Sequence, residues 1–210
     1  SGRCEVLPGL ESYTALAQPA PRPGSDDIAV IAASTQLPPR IVCCHDGRAR
    51  VLRRSTSERL APGDLASAEV VSFSISEKET TSASESSVDD GEVEAIETLH
   101  GLLYRPQSRR FEDEGLPPAL ISLHGGPTGQ AHLTHSLRAQ YFATRGFMVL
   151  ELNYRGSCGY GRAYRRALDG AWGVSDVADT VAARDYLANT GLADPGRIAI
   201  IGGSAGGYTV

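Results

Sequence analysis

The chain has 210 residues, 41% of them hydrophobic, four cysteines and a net charge of −5. That is enough apolar material for a sizeable core, and it excludes a wholly disordered chain, a collagen-like repeat and a disulfide-dense mini-protein. Mild acidity argues against nucleic acid as the main partner, and no apolar run approaches the ~20 residues that span a bilayer.

Residue 1 is serine and the one methionine, Met148, lies deep inside the chain, so the expectation is that the natural start is missing. The first recognisable elements are short strands between Ile28 and Phe73. Ile28 to Ala33 is an apolar run suited to a buried strand. Arg40 to Cys44 and Arg48 to Arg53 flank His45-Asp46-Gly47. Asp-Gly between two β-prone runs is a hairpin signal, because a tight turn needs positive φ and glycine adopts it at little cost. Cys43 and Cys44 point to opposite faces of such a strand and cannot bridge one another. Cys4 and Cys158 complete no CxxC and no zinc-type His pair. Reduced thiols are therefore expected, with no metal and no cofactor, and they point to the cytoplasm.

Ser72 to Glu97 carries eight acidic residues and one lysine, Lys78, a local charge of −7. Its centre, Ser82 to Ser87, is low in complexity and too polar to offset the entropy of ordering it. Residues 77–91 read as an exposed acidic, serine-rich linker.

From Glu92 onward, strands and helices alternate. Strands are expected at Ile96 to Tyr104, Ala119 to His124, Phe147 to Leu152 and Arg197 to Ile201. A helix over His135 to Thr144 has Leu137, Tyr141 and Phe142 as its larger apolar members. A second, Asp176 to Asn189, has Ser175 as N-cap, Gly191 as its stop and a stripe of Val177, Ala178, Val181, Ala182 and Leu187. The alternation implies an α/β architecture, a parallel sheet with helices on both faces.

Three motifs sit at the C-terminal ends of these strands, where open α/β sheets place their sites. The strongest is Gly202-Gly203-Ser204-Ala205-Gly206-Gly207 after the strand RIAII. G-x-S-x-G between a buried strand and a helix raises the serine hydroxyl above the sheet edge, where the helix N-terminus favours developing negative charge. The flanking glycines Gly202, Gly203, Gly206 and Gly207 are expected where a Cβ would clash. The same residues also suit a glycine-rich turn that merely packs or holds a phosphate. The second motif is His124-Gly125-Gly126-Pro127. Its glycines can bring backbone N–H groups close to a ligand, and with Ser204 as nucleophile the oxyanion donors would be Gly126 N–H and Ala205 N–H. His124 precedes the serine, whereas the base of such a site follows it in the chain. His124 is thus expected to shape the loop, and His132 and His135 to be surface residues. The third motif is Asn153 to Gly161. Gly156, Gly159 and Gly161 do not have the spacing of a dinucleotide fingerprint. Arg155 reads equally as a structural ion pair or a substrate contact. Trp172-Gly173 is expected to pack the next loop on the sheet.

HGGPT, NYRGSCGYGR, DGAWGVSDVAD and GGSAGGYT, in that order, resemble the prolyl oligopeptidase family of serine peptidases, its dipeptidyl-peptidase and acylaminoacyl-peptidase-like members in particular. GLLYRP at Gly101 to Pro106 resembles the entry to their catalytic domain. The resemblance implies an α/β-hydrolase fold, N-terminal part only, over 92–210, preceded over 1–76 by the last strands of a β-propeller. It implies a peptidase acting on short peptides through an acyl-enzyme on Ser204, with Gly126 and Ala205 as oxyanion donors. The triad Asp and His would lie beyond Val210, so residues 1–210 alone would be inactive. An esterase or lipase with the same turn, and a non-catalytic truncated product, are the alternatives. A homo-oligomer of the full-length protein is compatible with all of these.

Overall fold

The computed structural model describes residues 7–57, 63–75, 96–109 and 114–210. The 77–91 linker and Cys4 lie outside the described residues.

Four strands, β1 (Ala15–Pro21), β2 (Ile28–Ala33), β3 (Arg40–His45) and β4 (Arg48–Arg54), form an antiparallel meander in the order β1-β2-β3-β4. Period-2 alternation puts Val30, Ala32, Val42 and Cys44 on one face, where they bury with Leu10. Asp46 and Gly47 have φ of 45° and 71°. Two successive positive φ values match the twist of a two-residue hairpin, as the Asp-Gly pair requires. Cys43 is half-buried, Cys44 is buried, and both are free thiols. β1 was not legible, since its polar and proline content hides an edge strand.

The second sheet contains β5 (Ala68–Ser74), β6 (Thr98–Tyr104), β7 (Ala119–Leu123), β8 (Met148–Asn153) and β9 (Ile198–Gly202), in the order β5-β6-β8-β7-β9. Only β8, β7 and β9 are mutually parallel; β6 runs antiparallel to β8, and β5 antiparallel to β6. This corrects one expectation: the sheet is mixed rather than parallel, because apolar runs specify burial but not strand direction. β5 pairs along its whole length with β6 and so joins this sheet.

Helices cover both faces. α1 (Leu137–Ala143) packs against Leu102, Leu120 and Val149 through Ala139 and Ala143. The Ser136 side chain caps it by accepting from Ala139 N–H (3.2 Å). The larger Leu137 and Tyr141 turn outward, 73% and 54% exposed; small residues let the helix approach the sheet closely. α2 (Gly161–Arg166) follows the third motif. α3 (Ser175–Asn189) buries Ala182, Ala183 and Leu187 against Ile121, Leu123, Leu150 and Leu152. Val177 and Val181 of its expected stripe are instead 40% and 45% exposed. The helix is rotated so that Asp176, Asp179 and Thr180 face inward, toward buried polar partners. Val174, not Ser175, is the N-cap, and Gly191 with φ 68° ends the helix as expected. Among the described residues no helix is long and apolar enough to cross a membrane.

The two sheets meet at α1 and the loop before it. Thr14 Oγ1 donates to Leu133 O, and His135 Nδ1 bonds Thr35 O at 3.1 Å, so His135 is a contact residue and not free surface. The buried Gln140 amide accepts from Ala66 N–H (2.9 Å) and donates to Ala66 C=O (2.8 Å). Its nitrogen also lies 3.4 Å from Thr35 O. Gln140→Leu keeps the volume and strands both Ala66 groups, each costing about 1–3 kcal/mol when buried and unpaired. A lowered urea midpoint is expected; an unchanged midpoint would show that the clasp contributes nothing.

Candidate active site

Parallel register sets the site. Leu123 at the end of β7 pairs with Gly202 at the end of β9 and with Leu152 near the end of β8. The three motifs therefore emerge side by side. Beyond β9, Ser204 takes φ 55° and ψ −121° and leads directly into α4 (Ala205–Thr209). Positive φ on a residue with a Cβ is strained and persists only where the surroundings over-determine it. Here the surroundings are backbone. A Cβ on Gly206 would lie 2.6 Å from His124 O and 2.7 Å from Leu123 O, and one on Gly202 would collide with Gly206 O. One on Gly125 would lie 3.0 Å from Gly203 O and 3.2 Å from Ser204 Cβ, so the His-Gly-Gly loop and the serine turn touch. The clash expected at every flanking glycine is absent at Gly203, which has nothing within 4 Å among the described residues, and slight at Gly207, whose nearest neighbour is 3.4 Å away.

Ala205 N–H, the first of α4, has no acceptor within its helix, and its residue is buried while Ser204 is exposed. Gly126 has φ 53°, a conformation suited to glycine that turns the loop beside Ser204. A cleft of about 390 Å³ opens next to these groups, with Ser122, His124, Gly125, Glu151 and Gly203 in its wall. Burial pushes the Glu151 carboxyl up, against hydrogen bonds from Ser136 (2.6 Å) and Tyr104 (3.3 Å).

His124 is engaged elsewhere. Its ring stacks on Tyr154, centroids 4.4 Å apart, and Nε2 lies 2.7 Å from Ser157 Oγ. Ser157 Oγ also donates to Tyr154 C=O (2.6 Å), and His124 Nδ1 lies 3.2 Å from Gly125 C=O, so both ring nitrogens are engaged. Burial lowers the His124 pKa and keeps the ring neutral. The Tyr154 hydroxyl in turn donates to His124 C=O (3.1 Å), holding the strand end that Gly206 packs against.

Arg155 resolves to an ion pair. Its Nε, Nη2 and backbone N–H bond the buried Asp179 carboxylate at 2.7, 2.6 and 2.6 Å, and Nη2 reaches Ser175 C=O at 3.3 Å. Burial pushes the Asp179 carboxyl up to about 6, opposed by the Arg155 guanidinium. Neither Asp179 nor Asp176 was singled out from the sequence; their signal was acidic residues spaced i, i+3 on an otherwise apolar-facing helix. Trp172, expected to pack, is half exposed. Among the described residues no cluster of His, Cys, Asp or Glu could hold a metal ion.

A strained serine between a buried parallel strand and a helix, beside a glycine loop, is the arrangement that acyl transfer through a hydroxyl requires. Similar proteins include peptidases. Residues 133–210 match the model of the prolyl oligopeptidase family, and the resemblance read from the motifs holds. The chain is 36% identical over 123 residues to an acylamino-acid-releasing enzyme of Arabidopsis thaliana, covering 59% of this chain and 16% of that protein. It is 32% identical over 115 residues to dipeptidyl aminopeptidase BIII of Pseudoxanthomonas mexicana, covering 53% of this chain and 17% of the relative. A puromycin-hydrolyzing peptidase of Mycobacterium tuberculosis shares the fold, with TM-score 0.81 and 33% identity over 95% of this chain and 29% of that one.

Three substitutions test the local account. Gly206→Ala should destabilise by about 1–3 kcal/mol, as overpacking does, whereas Gly203→Ala should leave the thermal midpoint near wild type. Equal midpoints for the two would contradict it. Arg155→Leu should cost roughly 3–5 kcal/mol by leaving Asp179 buried and unpaired; a neutral result in urea denaturation would show that Asp179 has another partner.

Proposed function

We propose that the protein carrying this sequence is a serine peptidase that hydrolyses short peptides through an acyl-enzyme on Ser204. The observation that carries the reading is the left-handed Ser204 held by backbone contacts at the end of a buried parallel strand. In this reading Ser204 Oγ attacks the peptide carbonyl. A general base takes the Ser204 hydroxyl proton, Gly126 N–H and Ala205 N–H receive the oxyanion, the base passes the proton to the leaving amine as the C–N bond breaks, and water, deprotonated by the same base, releases the acyl group. Gly202 and Gly206 permit the turn, Gly203 faces open space and Gly207 makes ordinary contact with Gly202. The names of the relatives, one releasing acylated amino acids and one removing dipeptides, favour short peptides as substrates.

The second sheet with α1–α4 is then the first part of an α/β-hydrolase domain. The β1–β4 meander is the end of a propeller-like module, the two meeting between β4 and β5. The separate hydrogen-bonded sheets β1-β2-β3-β4 and β5-β6-β8-β7-β9 support this division.

Ser204 needs a base, and the described residues supply none by hydrogen bond: both His124 ring nitrogens are engaged, by Ser157 and by Gly125. Loss of a triad base costs on the order of 10⁶ in kcat, roughly 8 kcal/mol in the barrier. Residues 1–210 alone should therefore not cleave an aminoacyl-anilide or react with a fluorophosphonate. The longest natural chain that contains them should do both, and Ser204→Ala should abolish both. Stoichiometric labelling of 1–210 at Ser204 would overturn the assignment of inactivity. Full activity in Ser204→Ala would overturn the peptidase mechanism.

A further inference from the structure

We infer that Asp176 is a positioning residue for Ser204, acting through Thr209; the inference rests on the proposed role of Ser204 as nucleophile. Asp176 lies in the first turn of α3 and is fully buried. Its Oδ1 accepts from Gly173 N–H at 2.7 Å and its Oδ2 from the Thr209 hydroxyl at 2.6 Å. Thr209 closes the turn of α4 that begins at Ala205, the residue after Ser204, and its Oγ1 also lies 3.3 Å from Ala205 C=O. Among the described residues this is the sole side-chain hydrogen bond from α4 to another element.

Several constraints converge on that bond. Ser204 holds a strained φ without a side-chain cap at the head of α4. Backbone contacts at Gly202 and Gly206 fix where the helix starts. The hydrogen bond at Thr209 ties the far end of the same turn to α3. A buried carboxylate is costly unless its lone pairs are used, and among the described residues no cation pairs with Asp176, Arg155 being committed to Asp179. Asp176 is instead held by two neutral donors from two elements, the Gly173 loop and α4. A carboxylate acceptor shortens and strengthens both bonds. The same helix turn carries Asp179 and so anchors the Arg155 loop. α3 thus references α4 to the β8 end of the sheet. Small errors in nucleophile placement cost large factors in rate, so the tie should act on turnover and not on substrate affinity.

The test uses the longest natural chain containing this sequence and an aminoacyl-anilide substrate. Thr209→Val should lower kcat roughly tenfold, with KM within about twofold of wild type, and slow fluorophosphonate labelling in parallel. Thr209→Ser, which keeps the hydroxyl, should return kcat to within about twofold. Asp176→Asn should behave as Thr209→Val; if it fails to fold, the threonine pair alone decides. Wild-type kcat in Thr209→Val overturns the inference, as does a Ser variant no better than the Val variant, or a raised KM with unchanged kcat. Ser204→Ala separates the two levels. If it is inactive while Thr209→Val is unimpaired, only the positioning role falls. If it stays active, the role of Ser204 falls and the positioning role with it.

Discussion

Backbone packed on backbone at the head of β9 is the constraint on which the rest of this structure depends. Gly206 sits where its missing side chain would overlap the His124 and Leu123 carbonyls, and Gly202 where its own would overlap Gly206. That contact is possible only because β7 and β9 are parallel neighbours whose ends are level. It forces the chain through a left-handed residue before α4 can begin, and that residue is Ser204. Strain of this kind costs on the order of 1–3 kcal/mol and survives only where packing over-determines it.

The surroundings that hold it are largely polar. Tyr154 ties the His124 carbonyl, His124 ties Ser157, Arg155 ties Asp179, and Asp176 ties Thr209. Each of these groups has a partner, whereas the neighbouring Ser175 Oγ is buried without one, so the network fixes geometry through its paired members. It also explains the orientation of α3. A helix turned by hydrophobicity alone would have buried Val177 and Val181. The observed helix exposes them and brings Asp176 and Asp179 to their partners. A neutral His124 belongs to the same network, which is why a histidine beside the serine turn is not a base for it.

Much of this was legible in the residues. The Asp46-Gly47 hairpin, the strands ending in the three motifs and the serine turn follow from local rules: positive φ at glycine, apolar runs of strand length, glycine where chains approach. What was not legible is long-range. Strand direction made the sheet mixed, and β5 joined it through its pairing with β6. Neither is encoded in period or composition. The helix faces at Leu137, Tyr141, Val177 and Val181 were misread because size and hydrophobicity were weighed, whereas close approach by alanine and buried polar partners decided the rotation. Arg155 stood between two roles until Asp179, distant in sequence, came into contact with it.

The central claim is that the strained Ser204 hydroxyl is the group that becomes acylated. Rapid quenching of the longest natural chain with a short aminoacyl ester, followed by digestion and mass spectrometry, tests it directly. The account predicts a transient acyl mass on the peptide containing Ser204 that decays as product forms. An acyl group on any other residue, or turnover with no covalent adduct at any quench time, would contradict it.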